Sequence, residues 1–251
     1  MPPSSTDRRP PETSGPVRYA KSAFNGTPKA RKVASAKPAK PARARICLDA
    51  GHPSFEDDKL YEAIINRKVV YYLKKRFKKA GFSVHLTARD IPPKRLFAKG
   101  FNNESPLAQA SLVPMSVKQR VEACEEWNAN YLISVHHNFA SNKKTNHTMV
   151  LYGKDDHFKP WHPKTKAWAD GTRERLFAVM KTTHSSVKAD QDLLRMSLGI
   201  LATKKYAGIL TEGSFYSNPS ERKRLNTNKY LANEAKAIFE GFLAFFKHEK
   251  R

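Results

Sequence analysis

The chain has 251 residues, 39% of them hydrophobic, and a formal net charge of +23 from 46 Lys/Arg against 23 Asp/Glu. That length suits one domain with a tail or two small domains, and so basic a chain is expected to associate with polyanions. Two cysteines exclude a Cys-rich zinc module and a dense disulfide framework, and no apolar run is long enough for a membrane span.

In chain order, residues 1–44 come first as a Pro/Ala/Lys-rich arm. Residues 1–45 hold eleven Lys/Arg and two Asp/Glu with almost no large aliphatic side chain. Such a segment cannot bury enough apolar surface to offset its ordering entropy, so it is predicted to be disordered. It is expected either to bind polyanion (anionic wall polymer, nucleic acid or a membrane surface) or to serve as a plain solvated linker. Residues 1–20 contain no apolar leader core, so the sequence does not show an export route.

From residue 45 to 251 strand and helix signals alternate. Ile46–Ala50 is a buried strand. Tyr61, Ile65, Val69, Tyr72 and Leu73 recur at helical spacing up to about Lys79, and Gly81 stops that helix. Residues 82–87 are strand-like. Residues 91–115, with Pro92, Pro93, Gly100, Pro106 and Pro114, are predicted to be a long loop insertion. Ser116 is a predicted N-cap for a helix to about Asn128. Strands over 131–135 and 147–152 follow, then a helix over about 165–181, a short helix, and a strand over 208–212. Asn218-Pro219-Ser220 opens a last helix with Leu231, Ala235, Ile238, Phe242 and Leu243 on one face. Cys47 and Cys124 are expected to pack as small apolar residues, with a single bridge left open. The fold class is α/β: a single domain with a mostly parallel twisted sheet flanked by helices on both faces, preceded by the disordered basic arm.

Three strand-like runs end on polar residues: His52 after Ile46–Gly51, His136 after Tyr131–Val135, and Glu212 after Gly208–Thr211. In open α/β sheets, sites form beyond the carboxyl ends of strands. Glu62 stands at the start of the first helical pattern. His52, Glu62 and His136 make a His₂Glu set of the kind that holds a catalytic zinc with one position left for water, and Glu212 is the candidate general base. Each residue alone has a simpler reading: a locally bonded strand-end histidine, a carboxylate favoured by the helix dipole, a turn cap. His136 also has a rival in His137. Alternation along a strand lets only one of them face the site, and spacing does not say which. Of the other histidines, His85, His147, His157, His162 and His184 are each expected to be structural or solvent-facing. For His157 and His162, near Trp161, the alternative is that they flank a substrate groove.

These residues carry a recognisable pattern. The chain resembles the zinc-dependent N-acetylmuramoyl-L-alanine amidases of the AmiC/CwlV-like catalytic family, amidase_3. The quoted motifs are Asp49-Ala50-Gly51-His52, then Glu62 and Asn66, then Thr87-Ala88-Arg89, then Arg120 with Asn128 or Asn130. Ser134-Val135-His136-His137-Asn138 and Glu212-Gly213-Ser214-Phe215-Tyr216-Ser217-Asn218 complete them. The resemblance implies that His52, Glu62 and His136 bind Zn²⁺, the first histidine of the pair being the ligand, and that Glu212 is catalytic. It further implies a substrate, the amide between N-acetylmuramic acid and L-alanine in peptidoglycan, with Asn66, Arg120, His137 and Asn138 as expected substrate contacts. A monomer acting on the cell wall, in the periplasm or outside the cell, follows as an expectation. A zinc peptidase acting within the stem peptide, or a non-catalytic polyanion or wall binder, is the alternative. Two departures stand out. Pro53-Ser54 follows Gly-His where the family has Gly-Gly, and the late motif reads Glu-Gly-Ser-Phe, with its glycine one place early.

Overall fold

The computed structural model describes residues 44–52, 57–102, 105–112, 115–154 and 162–249, all within the unit Lys40–Arg251. The arm expected over 1–44 lies outside the described residues but for Ala44, and His157 lies outside them too. The side chain of His162 is likewise not described.

The elements run β1 (Arg45–Ala50), α1 (Asp57–Lys79), β2 (Ser83–Leu86), α2 (Pro93–Leu96), α3 (Pro106–Ser111), α4 (Val117–Glu126) and β3 (Tyr131–Asn138). They continue with β4 (Thr148–Tyr152), α5 (His162–Met180), β5 (Ser185–Ala189), α6 (Asp190–Leu194), β6 (Ala207–Phe215), α7 (Pro219–Leu225) and α8 (Asn228–Glu249). The local reasons are visible at several ends. Gly81 turns the chain after α1 with φ of +84°, a conformation that costs glycine little. Ser116 caps α4 in a reciprocal box with Gln119.

The six strands lie in the order β2-β1-β3-β6-β4-β5. β2, β1, β3 and β6 are parallel neighbours, β4 runs antiparallel to β6, and β5 is parallel to β4. The mostly parallel sheet is as expected. Against one face pack α1, α5 and α8, with Phe77, Trp168, Leu176 and Phe242 in the core. Against the other packs α4, with Cys124, Leu132, Leu151, Ile200 and Tyr206. No helix among the described residues is long and apolar enough to cross a membrane.

Three expectations change, and the single bridge left open is present. Residues 91–115 are not simply loop: they form α2 and α3, and Ile91, Leu96, Phe101, Ala108 and Leu112 pack on Ala63 and Ile64 of α1. β5 had no apolar alternation to betray it, because it is a polar edge strand, Ser-Ser-Val-Lys-Ala. The last helix is two helices: Asn218 caps α7, which ends at Leu225 before α8 begins at Asn228. Cys47 and Cys124 are buried as expected, but as a bridge joining β1 to α4 with Cα atoms 5.8 Å apart.

That bridge closes a loop with a sequence separation of 77. Replacing both cysteines by alanine is therefore expected to lower stability by about 2–4 kcal/mol. Urea denaturation with and without reductant checks this, and a wild-type midpoint indifferent to reductant would contradict it.

Candidate metal centre

β1 and β3 are adjacent and parallel, so their carboxyl ends deliver His52 and His136 to the same edge of the sheet. The first turns of α1 bring Glu62 over that edge. One ligand atom from each of the three residues lies within 4.8 Å of the others, which is a group that could hold a metal ion. Glu62 Oε1 is 3.3 Å from His136 Nδ1, and Glu62 Oε2 is 3.8 Å from His52 Nε2. His52 sits at the mouth, its side chain 40% exposed, whereas His136 and Glu62 are buried. Burial by itself would raise Glu62, but His136 and His52 hold it below the usual carboxylate range. Burial likewise opposes charging His136, and Glu62, Glu212 and Asp49 override it and raise its pKa. The surrounding carboxylates thus favour positive charge at this point, as a cation site requires.

Gly51 makes the packing of His136 possible. A Cβ at that position would stand 2.1 Å from the His136 ring. The glycine in Asp-x-Gly-His is needed for this close approach, and the chain then turns through His52 with φ of +47°.

Asp49 anchors the same edge from beneath. It accepts hydrogen bonds from Thr87 Oγ1 at 2.6 Å, Ser134 Oγ at 2.6 Å and Arg120 Nη1 at 2.7 Å. Burial pushes its carboxyl up, but the Arg120 guanidinium and the two hydroxyls outweigh that and keep it below the ordinary range.

Glu212 stands beside His136 across the β3–β6 pairing. It is half-buried, and its Oε2 is enclosed with no hydrogen-bond partner among the described residues. Burial pushes its pKa up to about 7, opposed by His136 and reinforced by Glu62. A carboxyl group poised near neutrality with a free oxygen can both take and return a proton.

The four expected substrate contacts fall in different surroundings. Asn66, Arg120 and His137 are buried, with side chains engaged by protein groups: Asn66 by Glu62 and Gly51, Arg120 by Asp49, His137 by Asn66 and Glu234. Asn138, half-buried at the end of β3, borders an open cleft of about 570 Å³ also lined by His147, Met149, His184, Lys188 and Leu194. Met149 pairs with Glu212 across β4–β6, which sets this cleft beside the carboxylate. The rings of His147 and His184 stack at 4.5 Å. His85 stacks on Trp127 at 5.3 Å. Sequence reasoning missed Glu234, whose one signal is a carboxylate among the apolar positions of α8.

The fold recurs in solved structures. The catalytic domain of CwlV, an N-acetylmuramoyl-L-alanine amidase from Bacillus (Paenibacillus) polymyxa var. colistinus, is 18% identical, with 82% of this chain and 99% of that one covered and a TM-score of 0.63. The CwlD amidase from Clostridioides difficile, solved in complex with the GerS lipoprotein, is 25% identical, with 82% and 99% covered and a TM-score of 0.61. A curated relative from Bacillus anthracis, described as an uncharacterized cell wall amidase, is 23% identical over 133 residues, 53% of this chain. The chain spans about a quarter of that relative's length, the matched share being 24%. The model of the family described as Amidase_3, N-acetylmuramoyl-L-alanine amidase, matches residues 46–244, all of the sheet but Arg45 and the residues of the centre included, and the chain belongs to that family.

Proposed function

We propose that this protein is a zinc-dependent amidase that cleaves the bond between the lactyl group of N-acetylmuramic acid and L-alanine in peptidoglycan. The observation that carries the reading is the pairing of a His₂Glu donor set with a second carboxylate, Glu212, that has an unpartnered enclosed oxygen. Two imidazole nitrogens and one carboxylate oxygen are the donor set of catalytic zinc, and they leave a coordination position open. Zinc held by His52, Glu62 and His136 would supply Lewis acidity, polarising a carbonyl and making water acidic enough to attack near neutral pH.

The chain's own residues do the rest. Glu212 accepts the proton of the attacking water at its free oxygen and delivers it to the leaving amine of L-alanine. Asp49, clamped by Arg120, Thr87 and Ser134, fixes the end of β1 from which His52 projects. Asn66 and the His137 backbone N–H both donate to Glu62 Oε1, at 3.2 and 3.0 Å, and orient it. Asn66, Arg120 and His137 are thus positioning residues, and substrate contact passes to Asn138 and the cleft beside it. A stable Cys47–Cys124 bridge suits the oxidising environment of a wall enzyme.

Digestion of purified sacculi followed by mass spectrometry is the direct test. Free stem peptides beginning at L-alanine are expected. Products cut within the stem would support the peptidase alternative instead. Removing the metal with a chelator is expected to abolish release, and added zinc to restore it. His136→Ala should lose both bound zinc and activity, read by metal analysis of the purified variant. Full zinc content in that variant would remove His136 from the ligand set.

A further inference from the structure

We infer that Glu234 and His137 form a buried brace that positions the metal carboxylate Glu62 through Asn66, an inference that rests on the metal-site reading above. The links form a continuous chain from Glu62 back to Glu234. Asn66 Nδ2 donates to Glu62 Oε1 at 3.2 Å and to the Gly51 carbonyl at 3.1 Å. With its amide nitrogen so committed, Asn66 presents Oδ1 to the other side, where His137 Nδ1 donates to it at 2.8 Å. The second ring nitrogen of His137 lies 3.2 Å from Glu234 Oε2. Asn66, His137 and Glu234 are 0%, 1% and 0% exposed, so no solvent competes for these bonds.

Among the described residues, His137 is the one hydrogen-bond partner of the Glu234 side chain. Glu234 lies on the buried face of α8 with Leu231, Ala235, Ile238 and Phe242, where an aliphatic side chain would pack at lower cost. Its Oε1 has no partner among the described residues, and a carboxylate kept in such a place costs stability unless paired. The backbone has made room for it: a Cβ on Gly213 would stand 2.6 Å from Glu234 Oε1 and 3.2 Å from His137 Nε2. The early glycine of Glu-Gly-Ser-Phe and the second histidine of Ser-Val-His-His-Asn, two separate features of this sequence, therefore meet at one carboxylate. Partners behind a ligand fix its orientation and thereby the affinity for the ion.

The test is zinc affinity of the full chain, measured by competition with a chromophoric chelator, with the thermal melt of the metal-free protein recorded beside it. Glu234→Ala is expected to weaken zinc binding by about 10–100-fold. Glu234→Gln is expected to recover most of that loss, because its amide donates to His137 Nε2 while Nδ1 still donates to Asn66. A purely structural Glu234 would lower the melt and leave zinc affinity at the wild-type value, and that result overturns the brace while leaving the metal site standing. A wild-type chain that takes up no zinc overturns the metal site itself and the brace with it. Should Glu234→Ala fail to fold, Glu234→Asp replaces it: the charge stays, the carboxylate withdraws from the imidazole by one methylene, and a loss of several-fold is expected. Unchanged affinity there overturns the brace.

Discussion

Glu212→Gln is expected to keep the fold and the metal while turnover of peptidoglycan falls by about 10²–10⁴-fold, the range that general acid–base catalysis contributes. The amide matches the carboxylate in size but cannot accept the water's proton. No hydrogen bond to Oε2 is lost, since that oxygen has no partner among the described residues, while the charge that helps raise His136 is removed. The sign of the stability effect follows from the direction of the shift. Burial raises the Glu212 carboxyl to about 7, so between its unfolded value and about 7 the folded metal-free state binds more protons than the unfolded one. Its contribution to stability is present at low pH and is lost as pH rises through that window. At pH 8 the metal-free Gln variant should therefore melt at or above the wild type. Release of soluble fragments from sacculi, with metal content and melts measured on the same sample, checks all three points. Wild-type turnover in that variant would remove Glu212 from the chemistry.

Arg120→Leu is expected to destabilise the protein by about 3–5 kcal/mol, the usual consequence of leaving one partner of a buried ion pair alone. Asp49 is wholly buried, and Arg120 supplies its countercharge at 2.7 Å. The Thr87 and Ser134 hydroxyls remain in the variant, but neither carries charge. The pH dependence has the opposite sign to that of Glu212. The folded-state pKa of Asp49 is depressed, so its contribution is fully present above the unfolded value and is lost as pH falls through the folded one. Without Arg120, burial dominates and acid unfolding moves to higher pH. Denaturant unfolding at pH 7 and an acid titration followed by circular dichroism measure both effects. A change below 1 kcal/mol at pH 7 would mean that the pair contributes little to the sheet edge.

The centre was legible in the sequence because its chemistry and its position coincide. Polar residues that follow apolar strands must emerge at the sheet edge, and His52, His136 and Glu212 do so. Alternation along β3 foresaw that only one of His136 and His137 would face the site. It could not tell that the other would point toward α1 and α8 and meet Asn66 and Glu234. β5 escaped notice because an edge strand beside solvent needs no apolar stripe. The helices of 91–115 escaped because proline marks both loops and first turns: Pro93 and Pro106 each sit at the start of a helix. The pairing of Cys47 with Cys124 depends on how β1 and α4 pack, which neither local segment records.

The layer built by residues 91–112 has a consequence for engineering. It shields Ala63 and Ile64, the residues directly after Glu62 on α1, from water. Trimming that region to a short turn would leave a greasy shoulder on the very stretch of helix that presents the carboxylate. A slimmer version made that way would aggregate more readily and hold the Glu62 carboxylate less firmly, two defects from a single cut.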